Sequence, residues 1–408
     1  MSPARLLLDV RPLRESPHFR RLWVGTALSA LGSQMTAFAV ALQVYTLTRS
    51  SLAVGGVGLA MALPAVLFGL LGGSIADAFD RRSLVLLCSG LAAVVSGAFA
   101  VQAFAGLDRV WPLYCLVVAQ SLISSVNAPA RRTFLPRLLR ADQLPAGTAL
   151  TLLAWHASTV VGPALAGVVA ATWGLLACYL VDVLSFAAAL HGIVRLPPMP
   201  PEGGAVRPGP RAVGEALRLV RRTPVLAGAF LADTSAMLLG MPVALFPALN
   251  AERFGGSEQT LGLLTAAPAV GGVIAAALSG PVGRVSRQGR AMLVAGALWG
   301  VGVAGFGLAH DLALALLLLA VAGAADAVSV VFRTTLVQLA TPDRHRGRIA
   351  AAEHVVGAGF PQLGNFRAGA VASLTSPGLS AVSGGVATVV AAGLIGLALP
   401  GLVRHRAR

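Results

Sequence analysis

Apolar runs of about twenty residues, each closed by charged or turn residues, recur along this chain from Leu22 almost to its end. A helix needs ~20 apolar residues to cross the hydrocarbon core of a bilayer. The runs predict spanning helices at 22–47, 52–76, 83–105, 111–130, 146–170, 173–195, 224–249, 258–282, 290–309, 312–334, 350–373 and 379–403. The fifth and sixth meet at a short turn near Thr172. Only one connection is long, Leu196 to Thr223, and Pro197, Pro198, Pro200, Pro201, Pro208 and Pro210 mark it as a flexible linker. Within it Val213, Ala216, Leu217 and Val220 share one stripe, with Glu215, Arg218 and Arg222 opposite, the pattern of an amphipathic helix lying along a membrane surface. The expected fold class is an all-α membrane protein of twelve transmembrane helices in two pseudo-symmetric six-helix bundles. Residues 1–195 form the first bundle, 196–223 a cytoplasmic linker, and 224–408 the second.

Composition turns the pattern into a statement about solvent. Of 408 residues 56% are hydrophobic and 12% charged, with a mean hydropathy of +0.79. A soluble chain of this length needs more charge to cover its surface, so the apolar excess faces lipid. The net charge of +15 would suit a nucleic-acid binder, but its arginines lie in the short segments between apolar runs. If every run crosses, 27 of 31 arginines fall on one side, leaving Arg49, Arg109, Arg253 and Arg367. The positive-inside rule then puts both termini in the cytoplasm of a multi-pass inner (plasma) membrane protein. Every basic residue is arginine, so no Walker A lysine exists, and uphill movement must draw on an ion gradient or another subunit. Cys88, Cys115 and Cys178 show neither metal nor disulfide spacing. The first span serves as an uncleaved insertion signal. No cofactor, metal or nucleic acid is expected, and the partners are a small-molecule substrate, protons and the lipid bilayer, with the protein working as a monomer.

The halves echo each other. Arg132–Asp142 and Arg333–Asp343 share Arg, Thr, Leu, Leu and Asp at an offset of 201, and Gly162–Ala170 matches Gly364–Ala372 at five of nine positions at 202. Parallel repeats of this kind put a substrate site near the bilayer midplane between the halves.

The strongest local signal is GGSIADAFDRRSLVL, Gly72–Leu86, between the second and third spans. Gly73 permits close packing, Asp77 lies one helical turn on, and Arg81 with Arg82 opens the next span. An aspartate there can lock against a helix N-terminus and hold one conformation. Here the chain resembles the major facilitator superfamily, whose loop signature Gly73, Asp77, Arg81 and Arg82 match. Asp80 stands where that superfamily usually has glycine. The second-half counterpart, from Ser279, is degenerate. Ser158, Gly162, Pro163, Ala166 and Gly167 resemble the glycine-rich fifth span of its proton-exchanging exporters, with Ser158 and Ala166 replacing two glycines by other small residues. HFRRLW, YLVDVLSF and RGRIAAAE resemble the branch that includes siderophore exporters and macrolide or multidrug efflux proteins.

Ionisable groups in hydrocarbon cost several kcal/mol and are the default functional candidates. Asp233 and Asp326, in the seventh and tenth spans, are the candidates for proton coupling, since the resemblance implies that both spans line the central cavity. Arg333 lies two turns past Asp326 on nearly the same face, where it sets their charge balance or binds an anionic cargo. Glu353 and His354, one turn into the eleventh span, join Gly73, Asp77, Arg81 and Arg82 as a conformational gate. Asp182 is expected to make a structural hydrogen bond. Gln34, Phe38, Asn127, His156 and Phe230 complete the expected substrate cavity, an apolar space with few polar points suited to amphiphilic cargo. No nucleophile elbow, metal-ligand spacing or phosphate loop supports an enzyme. The expected function is a proton-coupled antiporter exporting small amphiphilic molecules, a siderophore or drug, by alternating access. Uptake of a small nutrient and a non-transporting receptor or scaffold are the alternatives.

Overall fold

The computed structural model describes residues 9–200, 218–278, 285–341 and 346–404, and within its helices leaves aside the side chains of 69–78, 346–348, 350–351 and 354–355. Among the described residues every regular element is helical. In chain order these are α1 (Arg11–Glu15), α2 (Pro17–Thr48), α3 (Ser51–Ala78), α4 (Arg81–Phe104), α5 (Val110–Arg132), α6 (Leu135–Leu138), α7 (Leu144–Val194), α8 (218–222) and α9 (Pro224–Gly240). There follow α10 (Phe246–Arg253), α11 (Glu258–Ala277), α12 (Gln288–Leu308), α13 (Leu312–Ala340), α14 (Arg346–Leu374), α15 (Pro377–Ala398) and α16 (Pro400–Arg404).

Among the described residues ten stretches are long and apolar enough to cross a membrane. One of them, Ala141–Val194, is broken at Gly174, whose φ of 77° supplies a left-handed corner that side chains avoid. That corner lies two residues past the turn expected near Thr172. A second break was not foreseen. The expected helix 224–249 stops at Gly240, Met241 is extended (ψ 115°), and the chain resumes through a 3-10 turn into α10. Pro242 cannot continue the hydrogen-bond ladder. The freed backbone groups find partners on α14: Arg367 donates to the Leu239 carbonyl at 2.6 Å, and Asn365 accepts from the Ala244 N–H at 3.2 Å. A membrane helix tolerates interruption where neighbouring side chains re-satisfy the backbone in this way.

Mutual packing gathers the chain into two compact units, Met1–Val40 with Leu67–Val206, and Ala41–Val66 with Arg207–Arg408. In the first, Leu22, Val85, Ala130, Phe134, Ile193, Leu196 and Met199 form a buried cluster. In the second, Leu226, Ala229, Met292, Phe332, Leu336, Ile349 and Leu402 do so. Large apolar side chains such as Leu87, Val94, Leu184, Leu317 and Leu397 stay exposed, as lipid-facing positions require. Of the amphipathic linker helix, 218–222 is helical, and the remainder of Arg211–Arg222 lies outside the described residues. The degenerate loop from Ser279 to Arg284 also lies outside them.

Candidate functional site

In the second unit α9 carries Asp233 nine residues past Pro224, ~14 Å along the helix at 1.5 Å per residue. The Arg333 guanidinium on α13 forms an ion pair with its carboxylate, and both side chains are largely shielded from solvent. Asp326 sits two turns earlier on α13 and feels both charges of that pair. Glu353 on α14 is also within electrostatic reach of Arg333 and Asp233. Three helices thus carry three carboxylates within electrostatic reach of one guanidinium, which pairs with Asp233 and whose Nε has no hydrogen-bond partner among the described residues. Sequence reasoning assigned Glu353 to the gate, and the structure adds it to this charge cluster. Phe230, one turn before Asp233, is half-buried against the second unit's core.

The first unit holds its buried acid differently. Asp182 on α7 has no exposed surface. Its Oδ2 accepts from Thr36 Oγ1 on α2 at 2.9 Å and from Ser96 Oγ on α4 at 2.7 Å. Ser185, one turn along α7, donates to Oδ1 at 3.4 Å, and Ser33 adds a further hydrogen bond. Gly32 makes this possible, because a Cβ there would collide with Ser185 Oγ and the Asp182 backbone. No cation pairs with Asp182 among the described residues.

Arg131 was missed. The pair Arg131–Arg132 directly follows an apolar run and reads as loop charge, yet only Arg132 is exposed. Arg131 turns inward and donates to Asn127 Oδ1 (3.2 Å), Thr26 Oγ1 (3.3 Å) and Ser89 Oγ (3.0 Å). Only the inward face of α5 separates the two arginines, and no local sequence signal marks it. The remaining cavity candidates differ in exposure. Phe38 is buried, Gln34 and Asn127 are half-buried, and His156 is exposed. Ser158, Gly162, Pro163, Ala166 and Gly167 all sit on the buried face of α7. Gly162 lies so close to Gln34 that an added Cβ would come within 2.5 Å of its side chain.

The side chains of Gly73 and Asp77, in the motif between α3 and α4, and of His354 on α14 lie outside the described residues. Asp80 caps α4, accepting from the Ser83 N–H at 2.8 Å, and its other oxygen accepts from the Met199 N–H at 2.7 Å. Partial burial raises the Asp80 carboxyl, but the Ser83 and Met199 hydrogen bonds and the nearby Arg82 outweigh it and hold the group below its ordinary value. Arg82 donates to the Val194 carbonyl at the end of α7 at 2.5 Å, while the Arg81 backbone N–H reaches the Met199 carbonyl at 3.1 Å.

Three of the four arginines set apart by the charge pattern have local roles. Arg253 donates to the Gly307 and Ala309 carbonyls at 2.8 and 3.2 Å, Arg367 serves the broken α9–α10 junction, and Arg49 lies 5.9 Å from the Tyr45 ring centre.

The enterobactin exporter EntS of Citrobacter koseri is 27% identical over 406 residues, covering 98% of this chain and 96% of that protein. In fold, the crystal structure of the nucleoside transporter NupG aligns at a TM-score of 0.72 and 13% identity, covering 95% of this chain and 99% of that one. A bacterial homologue of the iron transporter ferroportin, in its inward-facing state, aligns at 0.70 and 17%, with 95% and 99% covered. The family profile described as transmembrane secretion effector matches residues 9–404. The chain is therefore a membrane transporter and belongs to the transmembrane secretion effector family of the major facilitator superfamily.

Proposed function

We propose that this protein is a proton-coupled antiporter that exports a siderophore-like amphiphile by alternating access. It crosses the inner membrane twelve times with both termini in the cytoplasm. Ala141–Val194 then supplies two crossings on either side of Gly174, and α14 supplies the one that its charged residues disguise. Support for the cargo class comes from the near full-length similarity to enterobactin exporters.

The reading of the coupling rests on one observation, the Asp233–Arg333 pair with Asp326 and Glu353 inside its field. Three carboxylates around one guanidinium balance only when protons join them, because uncompensated charge in a low-dielectric site is costly. A proton on Asp233 releases Arg333, and proton loss restores the pair. The two states differ in where Arg333 points, which gives the acids a way to bias one conformation over the other. Residues Gly73, Asp77, Arg81 and Arg82, with Glu353 and His354, act as the gate, and the loop stabilises the outward-open conformation.

The test is transport in proteoliposomes under an imposed pH gradient, with a catecholate siderophore as cargo. The parent protein is expected to move it against its gradient, and collapsing the pH gradient to stop net movement. Asp233→Asn and Asp326→Asn should each retain cargo exchange while losing the response to pH. Undiminished pH-driven transport in both variants would remove these acids from the mechanism.

A further inference from the structure

The first residues of the linker, Leu196 to Pro200, run across loops of the first unit, where their sequence leaves few ways to hold them. In the run Pro197-Pro198-Met199-Pro200, proline has no N–H, so Met199 carries the only backbone donor. Asp80 takes that donor at 2.7 Å. The Met199 carbonyl accepts from the Arg81 N–H at 3.1 Å, and the Pro200 carbonyl accepts from both terminal nitrogens of Arg137 at 3.0 and 3.1 Å. The side chains of Leu196 and Met199 are buried in the cluster with Leu22, Val85, Phe134 and Ile193. The one donor of the proline run and the Met199 carbonyl are thus bonded by the gate loop, and the Pro200 carbonyl by Arg137.

Asp80 makes this possible by using its two oxygens separately, Oδ1 for the α4 cap and Oδ2 for the strap. Its backbone, with φ −56° and ψ 119°, needs no glycine. A glycine offers no side-chain acceptor, and an asparagine puts a second donor, not an acceptor, where one of these two separate oxygens stands.

We propose that Asp80 is a positioning residue that clamps the linker's entry onto the loop between α3 and α4, so that the linker moves with the gate as one body. Displacement of the linker then reaches the gate loop directly at Met199, and the clamp sets the rate of the conformational step without touching cargo. This rests on the transporter reading above, not on the identity of the cargo.

Asp80→Ser separates the two roles. Serine is as good a helix cap as aspartate, but it cannot also reach the Met199 N–H. Amide hydrogen exchange of the full-length variant in detergent should show Met199 exchanging roughly tenfold faster, with the start of α4 unchanged. In proteoliposomes with a catecholate siderophore as cargo, turnover should fall about threefold while KM stays within about twofold. Unchanged Met199 exchange would overturn the clamp. Faster exchange with parental turnover would make the strap a passive tether, and a change confined to KM would likewise contradict a positioning role. Asp80→Ala, which loses cap and clamp together, should add faster exchange at Ser83, and its absence would show that the serine variant had not kept the cap. If the parent exports no siderophore offered, the cargo assignment fails, and the exchange arm, together with labelling of a cysteine placed at the exposed Arg132 as a report of gate opening, still decides the clamp.

Discussion

Asp182 in the first unit and Asp233 in the second are both aspartates on long apolar helices, and their surroundings are opposite. Hydroxyls surround Asp182: Thr36, Ser96, Ser185 and Ser33 reach it from α2, α4 and α7 itself. Asp233 meets a single guanidinium, with two further acids close by. Hydroxyl donors satisfy an acid whatever its charge, because each rotates to donate or accept. A guanidinium holds only the ionised form. The first arrangement therefore bolts three helices together whatever its protonation, while the second, under the proposed coupling, switches between two states set by one proton. A buried acid is an exchange site when its partner cares about its charge.

Replacing Asp182 with alanine should do the largest damage. It strands several buried hydroxyls, each costing ~1–3 kcal/mol if left unsatisfied, so a loss of about 3 kcal/mol or more is expected. Thermal unfolding in detergent measures it. Asp182→Asn keeps one acceptor oxygen and should fall between the two while still responding to a pH gradient. A melting point for Asp182→Ala within a degree or two of the parent would mean that the hydroxyls hold nothing together.

Next in size is Arg333→Leu. Breaking a buried pair costs ~3–5 kcal/mol, and because both partners here keep some exposure, about 2 kcal/mol is the expected loss. Combining it with Asp233→Asn should recover much of that stability, giving a coupling on the order of 1–2 kcal/mol in a double-mutant cycle. The doubly substituted protein should remain folded yet move cargo without regard to pH. Strictly additive losses would mean that the ion pair contributes nothing and that the contrast with Asp182 is one of burial alone.

The features legible in the sequence are those that repeat. Runs of apolar residues located the helices, and Gly174 breaks α7 where a turn was expected. Asp233, Asp326 and Arg333 were legible because a charge inside such a run is conspicuous, and their grouping followed from Asp326 and Arg333 lying two turns apart. What stayed hidden depends on contacts between distant segments. Nothing beside Met241 and Pro242 announces that Arg367, 126 residues past Met241, will receive the freed Leu239 carbonyl. Arg367 and Arg333 were both counted by span and loop, yet each works inside a helix as a partner to another segment. Arg131 and Arg132 are adjacent letters with opposite fates, decided by which face of α5 meets Thr26 and Ser89. Periodicity reports faces, but the identity of the neighbour on each face is a property of the fold.

Arg367→Met tests that point with a smaller effect. It removes one hydrogen bond from a charged donor, for which ~1.5–3 kcal/mol is typical, while methionine keeps the stem's packing. A loss of about 1.5 kcal/mol is expected, with faster amide exchange confined to the α9–α10 junction. Exchange rising evenly over the second unit would show that the break does not depend on this arginine.

Asp80 extends the comparison to an acid outside the membrane, held by backbone N–H groups, and it predicts the smallest effect. Those donors favour the ionised carboxylate, so its folded-state value lies below the ordinary 3.8. For an acid depressed in this way, the stabilisation is fully present above the unfolded value and is lost as pH falls through the folded one. Between pH 5 and 8 the group stays ionised in both states. The stability difference between the parent and Asp80→Ser should then be constant across that window, within about 1 kcal/mol for a partly exposed hydrogen bond, and should shrink only below about pH 4. Asp233 should behave differently, since its pair with Arg333 is the one expected to respond to proton uptake during transport. Melting curves of the two proteins at pH 8, 6.5 and 5 separate the cases. A gap that narrows between pH 8 and 5 would mean that Asp80 titrates in the working range, and that the clamp on the linker opens with the protons that the proposed coupling uses.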